Sequence, residues 1–134
     1  MKLISQKQAL NLMIALLSAV MLFHLSVFLQ FIPYSIVWAG KLKNIQEMRV
    51  FECVSLLLGT FNIAVFLLKG NYIRHKIPMK IINAIIWFFV FLFSLNTVGN
   101  LFAKSDFELY VFTPLTFISA LLCLRILIPK KADN

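Results

Sequence analysis

The stretch IIWFFVFLFSLNTVGNLFAKSDFE, Ile85 to Glu108, decides the fold. Nine apolar residues, Ile85 to Phe93, run without a charge into Ser94, Asn96, Thr97, Gly99 and Asn100, and the first charge is Lys104. Such a run followed by amides and hydroxyls is a poor surface for water and a poor core for a small soluble domain. It suits a helix in lipid that turns its few polar groups toward protein. The composition agrees. Soluble domains carry about 25% charged residues, whereas this 134-residue chain carries 13%, with 61% hydrophobic residues and a mean hydropathy of +0.91. The net charge of +8 is spread between apolar runs rather than gathered on one face. No nucleic-acid partner is therefore expected.

A helix needs roughly 20 apolar residues, at about 1.5 Å each, to cross a bilayer. Four segments meet that requirement: 9–32, 49–68, 81–102 and 108–128. The expected fold is an all-α integral membrane protein, a compact four-transmembrane-helix bundle forming a single membrane domain over 1–134. The basic start and apolar middle of MKLISQKQALNLMIALLSAVMLF resemble a signal peptide. The apolar run continues to Ile32 with no small-residue cleavage site, so it reads as a retained first span.

Orientation follows from the basic residues. Lys2, Lys7, Lys69, Arg74, Lys76, Lys80, Arg125, Lys130 and Lys131 fall on the side of the two termini and the second loop. Lys41, Lys43, Arg49 and Lys104 fall on the other side. Nine against four places both termini in the cytoplasm. The usage of Phe, Ile, Lys and Asn points to a bacterial plasma membrane and a multi-pass protein. In the basic hairpin KGNYIRHKIPMK, Gly70 is placed to end helix 2 and Pro78 to open helix 3. His75 reads as solvated there. Pro33 should stop helix 1, with Tyr34, Ile36, Val37 and Trp38 lying along the headgroups. Arg125, near the cytoplasmic end, reads as a headgroup anchor.

KNIQEMRVF (Lys43 to Phe51) and KSDFELYVF (Lys104 to Phe112) enter helices 2 and 4 with similar chemistry. Both fit a capping box, Asn44 with Glu47 and Ser105 with Glu108. Only four of nine positions are identical, so convergence on similar caps is preferred over a duplicated hairpin.

A polar group left unpartnered in hydrocarbon costs several kcal/mol, so polar residues should face protein or water. Helix 2 carries Glu52, Ser55, Gly59 and Asn62 on one face, and helix 4 carries Thr113, Thr116, Ala120 and Cys123. Helix 3 carries Asn96 and Asn100 beside Thr97; helix 1 carries Asn11, Ala15, Ser18, Leu22 and Ser26. Close helix approach explains the small members of these stripes, and Gly99 is placed to admit a neighbouring backbone. Pro114 would free the carbonyl of Tyr110. His24 lies nearly opposite the helix 1 stripe. Either that stripe is not the inward face, or His24 meets a partner or the headgroups. Glu52 lies past the cap; it pairs with Arg49 one turn away or, if withdrawn from water, suits proton coupling.

The candidate ligand-binding residues are thus Glu52, Asn96, Asn100, Thr113, Thr116 and His24, in the outer half. No catalytic, metal or cofactor motif is present: there is no glycine-rich phosphate loop, nucleophile elbow, zinc motif or clustered Cys/His set. Cys53 and Cys123 are expected near opposite surfaces and unbridged. The chain lacks the helix 1 glutamate of small multidrug transporters and the glycine-rich motifs of fluoride channels. Three functions compete. The first binds or transports a small solute, a proton-coupled substrate or a lipid, with transport favouring a homodimer. The second is an intramembrane enzyme with His24 and Glu52 as an acid–base pair. The third is an accessory subunit of a larger membrane complex, with membrane lipid as its surroundings.

Overall fold

The computed structural model describes residues 4–129. Lys2, Lys130 and Lys131, used above for orientation, lie outside the described residues. Four long helices run up and down: α1 (Gln6–Phe28), α2 (Ile45–Lys69), α3 (Met79–Leu101) and α4 (Thr113–Leu127), the last entered through a wide π-helical turn, Glu108–Phe112. Each is long and apolar enough to cross a membrane, α4 counted from Glu108. The chain is therefore an all-α bundle with the character of a multi-pass membrane protein.

Local chemistry explains the boundaries. α1 begins three residues before its apolar pattern because Ser5 and Gln8 form a capping box: the Gln8 N–H donates to Ser5 Oγ at 3.1 Å, and the Ser5 N–H donates to Gln8 Oε1 at 2.8 Å. α1 ends at Phe28, four residues short of the expected Ile32. Gln30 adopts a left-handed φ of 64°. Its N–H donates to the Val27 carbonyl and the Phe31 N–H to the Ser26 carbonyl, both at 2.9 Å. That is a Schellman closure, and it turns the chain before Pro33 is reached. α2 ends the same way: Asn71, at φ 55°, takes the left-handed position expected of Gly70. The Asn71 and Tyr72 N–H groups donate to the carbonyls of Leu68 and Leu67 at 3.1 and 3.0 Å.

At the entry to α2, Asn44 Oδ1 accepts from the Glu47 N–H at 2.9 Å, while Glu47 accepts from the Lys43 N–H rather than from Asn44. The matching cap at Ser105 and Glu108 does not form, because the Glu108 side chain is committed elsewhere. Pro114 lies in the first turn of α4. The chain takes up its missing N–H by widening just before it, where the Thr113 N–H donates to the Glu108 carbonyl, five residues back.

α1 packs against α2 and α4, and α3 against α4; of the pairs adjacent around the bundle, α2 and α3 meet least. The half of the bundle holding the termini and the second loop carries the main apolar core, with Ala9, Leu10, Met13, Phe66, Ile82, Ile86, Phe89, Cys123 and Ile126 buried together. Polar ties close this end. Lys69 Nζ donates to Asn83 Oδ1 at 2.6 Å, and Gln6 Nε2 donates to the Ile126 carbonyl at 3.0 Å. Arg125 donates to the Ile4 carbonyl at 2.7 Å and to the Ile128 carbonyl at 2.8 Å, and Tyr72 bonds to Asn11. His75 also contributes here. Its Nε2 reaches the Leu68 carbonyl at 3.0 Å and closes the end of α2, so it is not simply solvated.

Among the described residues, the aromatic and side-chain hydrogen-bond contacts joining α2 to α3 are Lys69–Asn83, Phe61–Phe89 and Phe66–Phe89. All lie in that half or at the middle. Toward the other end the two helices part.

Candidate ligand-binding site

The half of the bundle under the first loop is hollow. A cavity of about 410 Å³ is bounded by all four helices and by Val37 and Trp38 of that loop. Its walls are mainly apolar: Leu16, Leu17, Val20 and Met21 from α1, Leu58 from α2, Leu92 and Phe93 from α3, and Phe112 and Leu115 from the α4 segment. Leu58 and Asn96 line it and are also exposed, on the sides of α2 and α3 where the helices part. The opening thus faces sideways, toward the surface that lipid would cover.

Polar groups are few, and most are placed by buried hydrogen bonds. Glu52 is fully buried. It pairs across to α1 rather than back to Arg49: His24 Nδ1 lies 2.6 Å from Glu52 Oε2. With a carboxylate as its partner Nδ1–H donates, which leaves Nε2 without a protein hydrogen-bond partner among the described residues. The second carboxylate oxygen accepts from the Trp38 indole N–H at 3.1 Å. His24 is therefore inward. The small stripe of α1 faces the other way, with Asn11, Ala15, Ser18 and Leu22 exposed or nearly so. Ser18 and Ser26 satisfy their own hydroxyls on the carbonyls four residues back. That local bonding is why the stripe needs no partner helix.

Glu108, only 7% exposed, is the residue that sequence reasoning placed wrongly. Both its carboxylate oxygens accept from the Ala39 N–H, at 3.0 and 2.9 Å. Trp38, Ala39 and Gly40 all have left-handed φ, at 55°, 55° and 68°. For Trp38 and Ala39 that costs about 1–2 kcal/mol each. Hydrogen bonds to the two carboxylates, worth about 1.5–3 kcal/mol apiece, offset it. The first loop is thus a strap across the end of the bundle. Val37, 3% exposed, packs with Val27 and Met48 beneath it, so Val37 does not lie along headgroups. A carboxylate two residues beyond an Asp and three beyond a Ser looks like a helix cap. Only the distant turn that meets it reveals its use.

The remaining expected residues separate. Asn96 and Asn100 line the cavity, as do Thr116, Ser55, Gly59 and Asn62. Glu52 stands behind His24 rather than on the wall, and Thr113 is outside the lining, its hydroxyl directed to the Glu108 carbonyl at 3.4 Å. Thr97 and Thr116 join α3 to α4 through a 2.9 Å hydroxyl contact. At Gly59 an added Cβ would meet only the side chain of Met21 on α1, which would have to turn aside. Gly99 has open space around it and admits no backbone. Cys53 is exposed and Cys123 buried, both as free thiols. Among the described residues there is no cluster of His, Cys, Asp and Glu able to hold a metal ion.

Chemically, the site offers an apolar chamber, a carboxylate-oriented imidazole beside the strap and buried amide and hydroxyl groups deeper in. Comparison of the chain with known protein families, with curated proteins and with solved structures finds no match among any of the three.

Proposed function

We propose that this chain is an intramembrane binding protein for a small amphiphile that enters sideways between α2 and α3. The observation that carries this reading is the cavity itself: about 410 Å³, largely apolar, in a bundle whose main apolar core lies in the other half. A chamber of that kind, with a few convergent polar groups, is the ordinary form of a ligand site. That core favours binding over transport, because passage to the opposite surface would require a rearranged core or a second copy of the chain. The basic residues favour an orientation with the strap outside and both termini in the cytoplasm.

The test is retention. Protein in phospholipid nanodiscs is extracted with organic solvent, and the recovered small amphiphiles are quantified per chain. Asn96→Phe and Leu58→Phe, at the mouth, should reduce the retained material to background while leaving the melting temperature within a few degrees. Undiminished retention in both variants would refute a sideways entry into this chamber.

The His24–Glu52 pair favours a second reading, in which the pair performs acid–base chemistry on the bound molecule. A carboxylate holding one imidazole nitrogen leaves the other free to exchange a proton with a substrate within hydrogen-bond reach. Under that reading His24→Asn abolishes conversion of the retained amphiphile without abolishing retention. An unchanged product profile in His24→Asn removes it.

A further inference from the structure

The end of the bundle that holds the termini carries charge of one sign. Among the described residues, Lys7, Lys69, Arg74, Lys76, Lys80 and Arg125 lie there, whereas Glu47, Glu52, Asp106 and Glu108 all lie toward the strap. No carboxylate answers these cations: the one ion pair among the described residues is His24–Glu52, in the other half. Arg125 is held by two backbone carbonyls and Lys69 by the side-chain amide of Asn83. Those neutral oxygens meet hydrogen-bond donors but leave the charge in place.

A pocket of about 370 Å³ lies at this end between α1, the close of α2 and α4, lined by Gln6, Lys7, Leu10, Lys69, Tyr72 and Ile126. It shares no residue with the chamber under the strap. Its neutral polar groups are spent on the protein: Gln6 Nε2 donates to the Ile126 carbonyl at 3.0 Å, and the Tyr72 hydroxyl donates to Asn11. Its two ammonium groups are not. An ammonium has three donors. Lys69 uses one, on Asn83 Oδ1, and Lys7, which is exposed, has no hydrogen-bonded partner among the described residues. Lys69 is half-buried, so its charge is less screened than one in open water. Two cations from separate helices on one pocket repel each other. A cationic head would add to that repulsion and a neutral head would leave it; an anion relieves it. Lysine holds phosphate as a point charge, and basic pockets between membrane helices are seats for phosphate headgroups.

We infer that this pocket binds an anionic phosphate group through Lys7 and Lys69, the phosphate being that of a lipid headgroup in the adjoining leaflet or a free phosphate ion. It is a site apart from the amphiphile chamber and stands or falls without it. The full chain is placed in nanodiscs of phosphatidylcholine with a minor fraction of phosphatidylglycerol, and native mass spectrometry counts the phospholipid retained per chain. The parent should retain one phosphatidylglycerol. Lys7→Gln and Lys69→Gln should each reduce its retention about fivefold, the loss expected for one lysine beside an anionic headgroup. Lys76→Gln with Lys80→Gln removes two exposed charges outside the pocket and should leave retention within about twofold, because salt screens them. Should Lys69→Gln disturb the fold, Lys7→Gln, at an exposed position, decides alone. Inorganic phosphate, titrated at constant ionic strength into nanodiscs of phosphatidylcholine alone, identifies the source. Saturable stabilisation of the folded protein marks a free ion as the occupant; no stabilisation, beside one retained phosphatidylglycerol, marks a lipid. Equal losses at Lys7, Lys69, Lys76 and Lys80 show a diffuse basic surface and overturn the pocket. Retention of phosphatidylcholine in equal measure overturns the anion. Neither a retained phosphatidylglycerol nor stabilisation by phosphate overturns the inference outright and leaves the chamber's binding reading untouched.

Discussion

Replacing Glu108 by alanine should release the strap over the cavity. The Ala39 N–H donates to both oxygens of this carboxylate, at 3.0 and 2.9 Å, and Glu108 is 7% exposed. Removing the acceptor forfeits a charge-assisted hydrogen bond of about 1.5–3 kcal/mol. The left-handed backbone at Trp38 and Ala39 remains, each at φ 55° and each costing about 1–2 kcal/mol. The Trp38 indole bond to Glu52, the Trp38–Phe51 ring contact and the packing of Val37 on Val27 and Met48 then still oppose relaxation of the turn. At about 1.4 kcal/mol per tenfold, the opening equilibrium of the loop should rise roughly 10- to 100-fold. Amide exchange at Ala39 in nanodiscs, followed by NMR, reads this directly, with α3 amides as the internal reference. Glu108→Gln keeps one acceptor oxygen and should fall between the parent and Glu108→Ala. Adding Trp38→Phe to Glu108→Ala should accelerate exchange further, since the indole bond is then also lost. Exchange at Ala39 unchanged in Glu108→Ala would show that the carboxylate does not hold the strap, and the account of its strained backbone would be wrong.

Gly59→Ala should change stability by less than about 1 kcal/mol, because the new Cβ meets only the flexible Met21 side chain and alanine gains about 1 kcal/mol of helix propensity over glycine. A loss above about 2 kcal/mol by reversible unfolding in mixed micelles, persisting in a Met21→Ala background, means that another contact limits the approach of α1 and α2. A double-mutant cycle of Thr97→Val and Thr116→Val should return a coupling near 0.6 kcal/mol, the usual value for an interhelical hydrogen bond in a membrane, given their 2.9 Å contact. A coupling of zero would show that the threonines bond only along their own helices. Finally, a cysteine introduced by Ser35→Cys in the strap should react with an impermeant maleimide added outside intact cells, and one introduced at Asn71 between α2 and α3 should not. The opposite pattern would reverse the orientation.

Much of the fold was legible in residue order because lipid imposes simple rules. A backbone that cannot bond to water must bond to itself, so four largely apolar runs of sufficient length become four helices. Periodicity along α2 and α4 also placed Ser55, Gly59, Asn62, Thr116 and Ala120 toward protein, since a helix face is a local property. The same reasoning misled at α1. Its small residues form as regular a stripe as those of α2, yet they face outward, because Ser18 and Ser26 bond to their own helix and carry no information about a neighbour. It misled again at Glu108, where the local pattern of a helix cap was satisfied on paper by Ser105.

What residue order determined, then, was the number of helices, their lengths and which faces of α2 and α4 turn inward, because each depends on contacts within a few residues. The meeting of His24 with Glu52, the strap drawn onto Glu108 by Ala39 and the pocket that Lys7 shares with Lys69 were decided by tertiary structure. These depend on distances between helices, on the parting of α2 from α3 and on a turn whose backbone is strained, and no spacing along one chain segment encodes where another segment will come to rest.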